Sequence, residues 1–274
     1  DWGKTQDASP SEWMVGLEFN PEGTFDSYQG GGGVPVSETP SVRRLYPLTE
    51  DRKRFYHENG YVLVPNMFSS EECDAFLEIC ERHADEGYST ILNLDREVPE
   101  LRSVMKHWRL ATVLEALHPI GVVGIMCQII YKKVGTPYAA QAWNPHQDNS
   151  YIQVKNGTYI VSSIFLADAD RENGGLYIYP GSHQEGLFPF EPTVSYRETP
   201  GTNPGNTVRV PEKYQRVDLS IPKGGVLFFQ GNVIHGSYPN FSHRSRPVLS
   251  YCYVTRGASY LEGKNAKRVP VSLH

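Results

Sequence analysis

The sequence is short of cysteine, of positive charge and of long apolar runs, and each shortage closes a class of answers. Its four cysteines, Cys73, Cys80, Cys127 and Cys252, form no C-x-x-C pair and no dense framework. Cys73 and Cys80 fall on one helix by pattern, about 10 Å apart along its axis, which is too far for a disulfide. Reduced thiols in a cytoplasmic protein are the expectation. Lys plus Arg number 26 against 31 for Asp plus Glu, a net charge of −5. That balance lacks the basic stripe a nucleic-acid partner needs. The longest apolar stretch, Pro119–Tyr131, is interrupted by glycines and is too short to span a bilayer. No signal-peptide pattern opens the sequence, which also does not begin with Met. Neither a nucleic-acid nor a membrane partner is expected, and oligomeric state is not readable.

What is plentiful is aromatic and turn-forming. The 17 Tyr, 11 Phe and 4 Trp, with 25 Gly and 20 Pro, suit a β-rich domain with an aromatic-lined cavity. Residues 1–47 carry Pro10, Pro21, Pro35, Pro40, Pro47 and the run Gly30–Gly33, which forbid long regular elements. They read as an irregular arm, partly packed because it also holds Trp2, Trp13, Phe19, Phe25 and Tyr28. Residues 48–274 then read as a single domain, with helices over about 49–118 and a β core over about 121–256. Thr49 caps a helix stopped by Gly60. A short strand comes next at Tyr61–Val64. Ser69-x-x-Glu72 is a capping box opening a helix to about Glu86, and an amphipathic pattern predicts one helix over Glu100–Leu117. Then the period changes. Val122–Tyr131, Thr158–Phe165, Gly175–Tyr179, Arg216–Ile221, Val226–Phe229 and Pro247–Thr255 read as strands. Helices first and many short strands after them predict a mainly β fold with flanking helices around a jelly-roll, cupin-like core.

Within that core lies His146-Gln147-Asp148, answered by His235 and then Arg246. In an extended segment residues i and i+2 share a face, so His146 and Asp148 both look into the barrel. The distal His235 must come from another segment, just past the strand ending at Phe228-Phe229. Two imidazoles and one carboxylate form the facial set that holds non-haem Fe(II) with positions left open. A guanidinium at Arg246 could clamp a carboxylate bidentately, which Lys cannot do.

Further segments fall in an order that resembles a known family. These are Phe55-Tyr56-His57-Glu58-Asn59-Gly60-Tyr61-Val62-Leu63-Val64, His146-Gln147-Asp148, Glu172-Asn173-Gly174-Gly175-Leu176, Pro180-Gly181-Ser182-His183, His235-Gly236-Ser237 and Arg246. Together, residues 50–255 resemble the phytanoyl-CoA dioxygenase family of Fe(II)/2-oxoglutarate oxygenases. The resemblance implies a double-stranded β-helix, O2 and 2-oxoglutarate as co-substrates, and release of succinate and CO2. It implies His146, Asp148 and His235 as iron ligands. Arg246 would hold the 2-oxoglutarate C5 carboxylate with Ser237 as its helper, and Gln128, Tyr131, Lys132 or Lys133 would add a further co-substrate contact. Related halogenases replace the ligand carboxylate with a small residue, so Asp148 disfavours halogenation.

Trp143, Asn149, Tyr151 and Gln153 flank the ligands and, with Tyr253, are candidates for the substrate wall or for core packing. His183 reads as a turn residue and Asn173-Gly174-Gly175 as a hairpin turn. Residues 188–211 form a long loop of the kind that often closes over a site. The function expected is oxidation, typically hydroxylation, of a C–H bond in a small metabolite. Two other readings stay open: a cupin-type hydrolase or isomerase using Zn or Mn at the same ligands, and a non-catalytic binding protein. Metal content and 2-oxoglutarate turnover separate them.

Overall fold

Thr49 opens α1 (Glu50–Asn59): its hydroxyl accepts the Arg52 N–H at 3.3 Å, and Gly60 closes the helix at φ +85°. The computed structural model describes residues 48–83, 90–136, 138–154, 158–193, 205–263 and 267–274. The expected N-terminal arm, residues 1–47, and the middle of the 188–211 loop lie outside the described residues. After β1 (Tyr61–Val64) comes α2 (Ser70–Arg82), opened by the Ser69/Glu72 capping box. Glu72 also takes both of its oxygens to Arg109 Nη1, at 2.9 and 2.8 Å. The box thus ties α2 to a later helix. The expected continuation of α2 to Glu86 runs into residues outside the described set.

The single helix predicted over Glu100–Leu117 is two, α3 (Pro99–Met105) and α4 (Trp108–Leu117), placed after β2 (Thr90–Leu92). The break is at His107, whose backbone is extended and whose Nδ1 accepts the Arg109 N–H at 3.2 Å. The imidazole caps a new helix where the apolar period alone saw continuity.

The β core comprises β3 (Val122–Ile130), β4 (Trp143–His146), β5 (Tyr159–Phe165), β6 (Leu176–Tyr179), β7 (Phe190–Pro192), β8 (Asn206–Val208), β9 (Val217–Asp218), β10 (Val226–Gln230), β11 (Ile234–Ser237), β12 (Val248–Thr255) and β13 (Val271–Ser272). A turn of helix, α5 (Asn149–Ile152), comes after β4. The larger sheet runs β1-β10-β5-β12-β3-β13, with β2 also on β3, and the smaller runs β4-β11-β6-β9. Every pairing is antiparallel. This is the double-sheet jelly roll expected from the strand pattern. Three details differ. The strand predicted over Arg216–Ile221 shrinks to β9 plus an isolated bridge from Ile221 to Ala169. The Asn173-Gly174-Gly175 turn joins strands of different sheets, so it closes no hairpin. His235 lies on a strand of its own, and β4 contains Pro145 at the edge of its sheet, where a missing N–H costs no ladder bond.

Between the sheets pack Phe165, Ile178, Leu227, Phe229, Val248 and Val254, all buried. Each contributes about 1.5–3 kcal/mol through removal of apolar surface from water. The helices cover the outer face of the larger sheet. Tyr251 and Tyr253 on β12 donate their hydroxyls to the carbonyls of Leu101 (2.8 Å) and Met105 (3.0 Å) in α3. A Cβ on Gly124 would collide with Met105 Sδ, so that glycine lets the helix lie directly on the sheet. No helix among the described residues is long and apolar enough to cross a membrane.

Candidate metal centre

β4 and β11 are neighbours, and their register puts His146 directly opposite His235. Cross-strand partners of this kind bring side chains on one face within contact range. The two imidazole centroids are 4.4 Å apart. Asp148 Oδ1 lies 3.4 Å from His146 Nε2 and 3.7 Å from His235 Nε2. The three donor atoms fall within 4.8 Å of one another, so the three side chains can close on one metal ion. β4 ends at His146, and Asp148 already has helical backbone angles, so the chain turns away as soon as the second donor is placed.

Both imidazoles are oriented the same way. His146 Nδ1 meets the carbonyl of Asn144 at 2.7 Å, and His235 Nδ1 meets that of Val233 at 3.2 Å. A carbonyl only accepts, so each Nδ1 carries the proton and each Nε2 presents its lone pair to the centre. Burial, with His146 beside it, pushes His235 down to about 4, which keeps it neutral and able to ligate. Both histidines are buried. A set of two imidazole nitrogens and one carboxylate oxygen fits a borderline first-row divalent ion.

Just before β12 lies Arg246. It is 2% exposed, and its Nε has no hydrogen-bond partner among the described residues. Burial lowers it to about 10, so it stays charged at neutral pH. Ser237 lies two residues beyond His235 on β11, on the same face, and its buried hydroxyl also lacks a partner among the described residues. Buried polar atoms are almost always satisfied. A guanidinium and a hydroxyl left open beside a donor set ask for an anionic ligand.

The further co-substrate candidates sort by register. Gln128 pairs opposite Ser250 and gives its Nε2 to Cys252 Sγ at 3.3 Å, inside the barrel. Tyr131 lies on the other face, toward Cys80 and Glu81 of α2, and Lys133 is exposed. Alternation from Gln128 selects Lys132 for the interior. That residue is 1% exposed, feels the charge of Arg246, and donates to the carbonyls of Gln141 (3.0 Å) and Tyr238. Tyr131 and Lys133 are therefore corrected out of the pocket.

Of the substrate-wall candidates, Trp143 and Tyr151 have ring centroids 5.9 and 6.5 Å from that of His146. Asn149 is committed to its neighbours. Its amide donates to Asn232 Oδ1 at 2.8 Å and accepts the Val154 N–H at 2.9 Å, because the chain becomes helical after Asp148. Gln153 closes that helix in the left-handed region at φ +53°. Tyr253 faces α3 on the far side of the sheet, and Cys252 takes the inward position. His183 commits its Nε2 to the His57 carbonyl in a 3-10 turn. The sequence reading missed Phe229, whose ring centroid is 4.7 Å from that of His235, and Gln147. Gln147 is fully buried and gives Nε2 to the carbonyls of Gly186 (2.7 Å) and Asn232 (2.5 Å), while Oε1 accepts the Phe188 N–H at 2.7 Å. Alternation held the signal: a polar residue between two inward ligands must point the other way.

The family model for phytanoyl-CoA dioxygenase (PhyH) matches residues 56–248. The chain belongs to the phytanoyl-CoA dioxygenase family. It is 28% identical over 207 residues to phytanoyl-CoA dioxygenase domain-containing protein 1 of Danio rerio, a match covering 73% of this chain and 65% of that protein. The chain thus spans just under two thirds of that relative's length. With the human peroxisomal phytanoyl-CoA dioxygenase it shares 21% identity over 272 residues, covering 85% of this chain and 80% of the relative. Among solved structures, the epimerase SnoN in complex with Fe3+, alpha-ketoglutarate and nogalamycin RO superposes with a TM-score of 0.64 at 20% identity, covering 81% of this chain and 95% of that one. The fold shared with that structure is the jelly roll described above.

Proposed function

We propose that this PhyH-family chain oxidises a C–H bond of a small-molecule metabolite, with His146, Asp148 and His235 holding Fe(II) and Arg246 and Ser237 holding 2-oxoglutarate. The carrying observation is the coexistence, inside one barrel, of a three-donor set and a buried guanidinium whose Nε has no partner among the described residues. A metal hydrolase or isomerase gives that guanidinium nothing to hold. Iron bound there, with 2-oxoglutarate and O2, supplies the oxidising chemistry. In the net reaction one oxygen atom enters the product alcohol and the other enters succinate, while 2-oxoglutarate loses CO2. Two electrons come from the C–H bond and two from the decarboxylation.

The residues do the rest. Arg246 offers two parallel N–H donors to one carboxylate of the co-substrate, and the Ser237 hydroxyl offers a third contact. Lys132, beside Arg246, is pushed well down by burial and by that guanidinium, and stays bound to the backbone carbonyls of Gln141 and Tyr238. Gln128 reaches into the same interior and can orient the other end of the dicarboxylate. Trp143, Tyr151 and Phe229 give the centre aromatic walls that exclude water and hold a substrate for attack at one position. Hydroxylation is the outcome this arrangement needs least else to explain. A structural neighbour is an epimerase, so fold alone does not fix the outcome.

The test is spectroscopic. Under anaerobic conditions the intact protein with Fe(II) and 2-oxoglutarate should give a weak visible metal-to-ligand absorption band, and His146→Ala should abolish it. Absence of the band from intact protein sinks the proposal. Succinate release across candidate metabolites then finds the substrate.

A further inference from the structure

β12 runs from the Arg246 end of the barrel to Thr255, and the C-terminal segment beyond it carries a second guanidinium to the other end. After a turn in which Ala258 N–H donates to the Thr255 carbonyl, Leu261 N–H donates to the carbonyl of Ile152 at 2.8 Å. Ile152 is the last residue of α5, the helix that begins directly after Asp148. Ala258 and Tyr260 pack against the interior cluster. The C-terminal segment is therefore fastened to the chain that delivers the carboxylate ligand. Arg268 is fastened to it in turn, with Nη1 on the Leu261 carbonyl at 2.7 Å.

Arg268 is half-buried, and its Nε is fully buried with no hydrogen-bond partner among the described residues. No acid among the described residues pairs with it: Glu262, the acid nearest in sequence, pairs with Lys267 at 3.6 Å. The interior groups it faces are polar but neutral. Tyr159 donates its hydroxyl to Cys252 Sγ at 3.1 Å, and Gln128 donates to the same sulfur. Tyr159 and Cys252 feel both the Asp148 carboxylate and the Arg268 guanidinium. Tyr260, beside it, adds an aromatic surface. A cation with an open donor, on a segment fastened to the helix that follows Asp148, is arranged to receive an oxyanion (carboxylate or phosphate) from outside the chain.

We infer that Arg268 is the anion-recognising residue of the substrate site, and that the substrate is a small molecule carrying a carboxylate or phosphate group. This rests on the proposed oxygenase reading. The barrel then holds two anions from opposite ends, co-substrate on Arg246 and substrate on Arg268, with the oxidised carbon between them.

The experiment uses the full chain loaded anaerobically with Fe(II) and saturating 2-oxoglutarate. Probes are matched acids and amides, acetate through octanoate and phenylacetate with their amides, and phenyl phosphate with phenol. Binding is read by calorimetric titration and by perturbation of the visible band. At least one anion should bind about tenfold more tightly than its neutral match, the low end for a charged hydrogen bond at a half-exposed site. Arg268→Gln should erase that preference while leaving melting temperature and 2-oxoglutarate affinity in place, and Arg268→Lys should restore part of it. No anion preferred over its neutral match, or a preference that survives in Arg268→Gln, overturns the inference. Failure of the intact protein to bind 2-oxoglutarate at all overturns the oxygenase reading instead.

Discussion

Gln147 donates its side-chain amide to the carbonyl of Asn232 at 2.5 Å and so joins the two segments that carry the candidate ligands. One lies in the His146–Asp148 stretch, the other three residues before His235. The same amide reaches Gly186 and accepts from Phe188. Asn149, bonded to the Asn232 side chain, doubles the tie. Gln147→Ala leaves the buried Asn232 carbonyl and the half-buried Gly186 carbonyl and Phe188 N–H without this partner, which should cost about 1–3 kcal/mol of stability. It should also weaken Fe(II) binding at temperatures where the variant is folded. Urea unfolding and anaerobic Fe(II) titration check the two effects separately. Unchanged iron affinity would confine Gln147 to fold stability.

Arg246 bears a desolvation cost that no acid among the described residues offsets, so its removal should not destabilise the protein alone. Arg246→Ala should melt at or above the wild-type temperature without ligand. Its 2-oxoglutarate affinity should fall roughly 10- to 150-fold, and the thermal gain from 2-oxoglutarate should vanish with it. Arg246→Lys should recover only part, because an ammonium lacks the planar fork. Thermal shifts with and without 2-oxoglutarate decide it, and a retained shift in Arg246→Ala would remove Arg246 from this role.

Gly236 separates His235 from Ser237, and a Cβ there would collide with Tyr177 Oη and lie 2.6 Å from the Trp143 carbonyl oxygen. The tyrosine could move, but the backbone of β4 could not. Gly236→Ala should therefore cost about 1–3 kcal/mol and dim the iron-dependent absorption by parting β4 from β11. Adding Tyr177→Phe should not rescue it. Rescue by that second change would place the clash on the side chain.

His107 and His118 set an acid limit. Burial, helped by Arg109, pushes His107 down to about 4, and burial, helped by His57, does the same to His118. Their unfolded value is about 6.5, so between about 4 and 6.5 the unfolded chain binds more protons than the folded one. Stability should rise with pH through that window and level off above it. Urea midpoints across the window should show this slope, shallower in His118→Gln. Equal slopes for the two proteins would exclude His118 as a source.

The elements that position the site were legible to different degrees. The Ser69 box and the Gly60 stop are local signals, read correctly because a few adjacent residues decide them. The metal set was readable because His-x-Asp alternation is also local. What failed depended on partners distant in sequence. Trp143–His146 contains a proline and is absent from the strands predicted by pattern, yet it pairs because β11 offers it an edge. Cys252 turns inward and Tyr253 outward by plain alternation along β12, and only its pairing with β5 and the docking of α3 fix which face is the interior. Lys132 and Lys133 are indistinguishable until the register of β3 fixes which one turns inward. The helix break at His107 depends on an imidazole acting as a cap, which periodicity does not see.

β4, bearing His146 and leading straight into Asp148, is the outermost strand of its sheet, whereas β11 is gripped on both sides by β4 and β6. The candidate centre is therefore mechanically lopsided. His235 acts as a fixed post, while the other two donors ride on a rim whose outer side is braced by the Thr207 hydroxyl on the Pro145 carbonyl at 3.1 Å. Any breathing of the centre falls to the rim. Whatever tightens the strand containing Thr207 against that rim also tunes how closely the movable pair grips its ion.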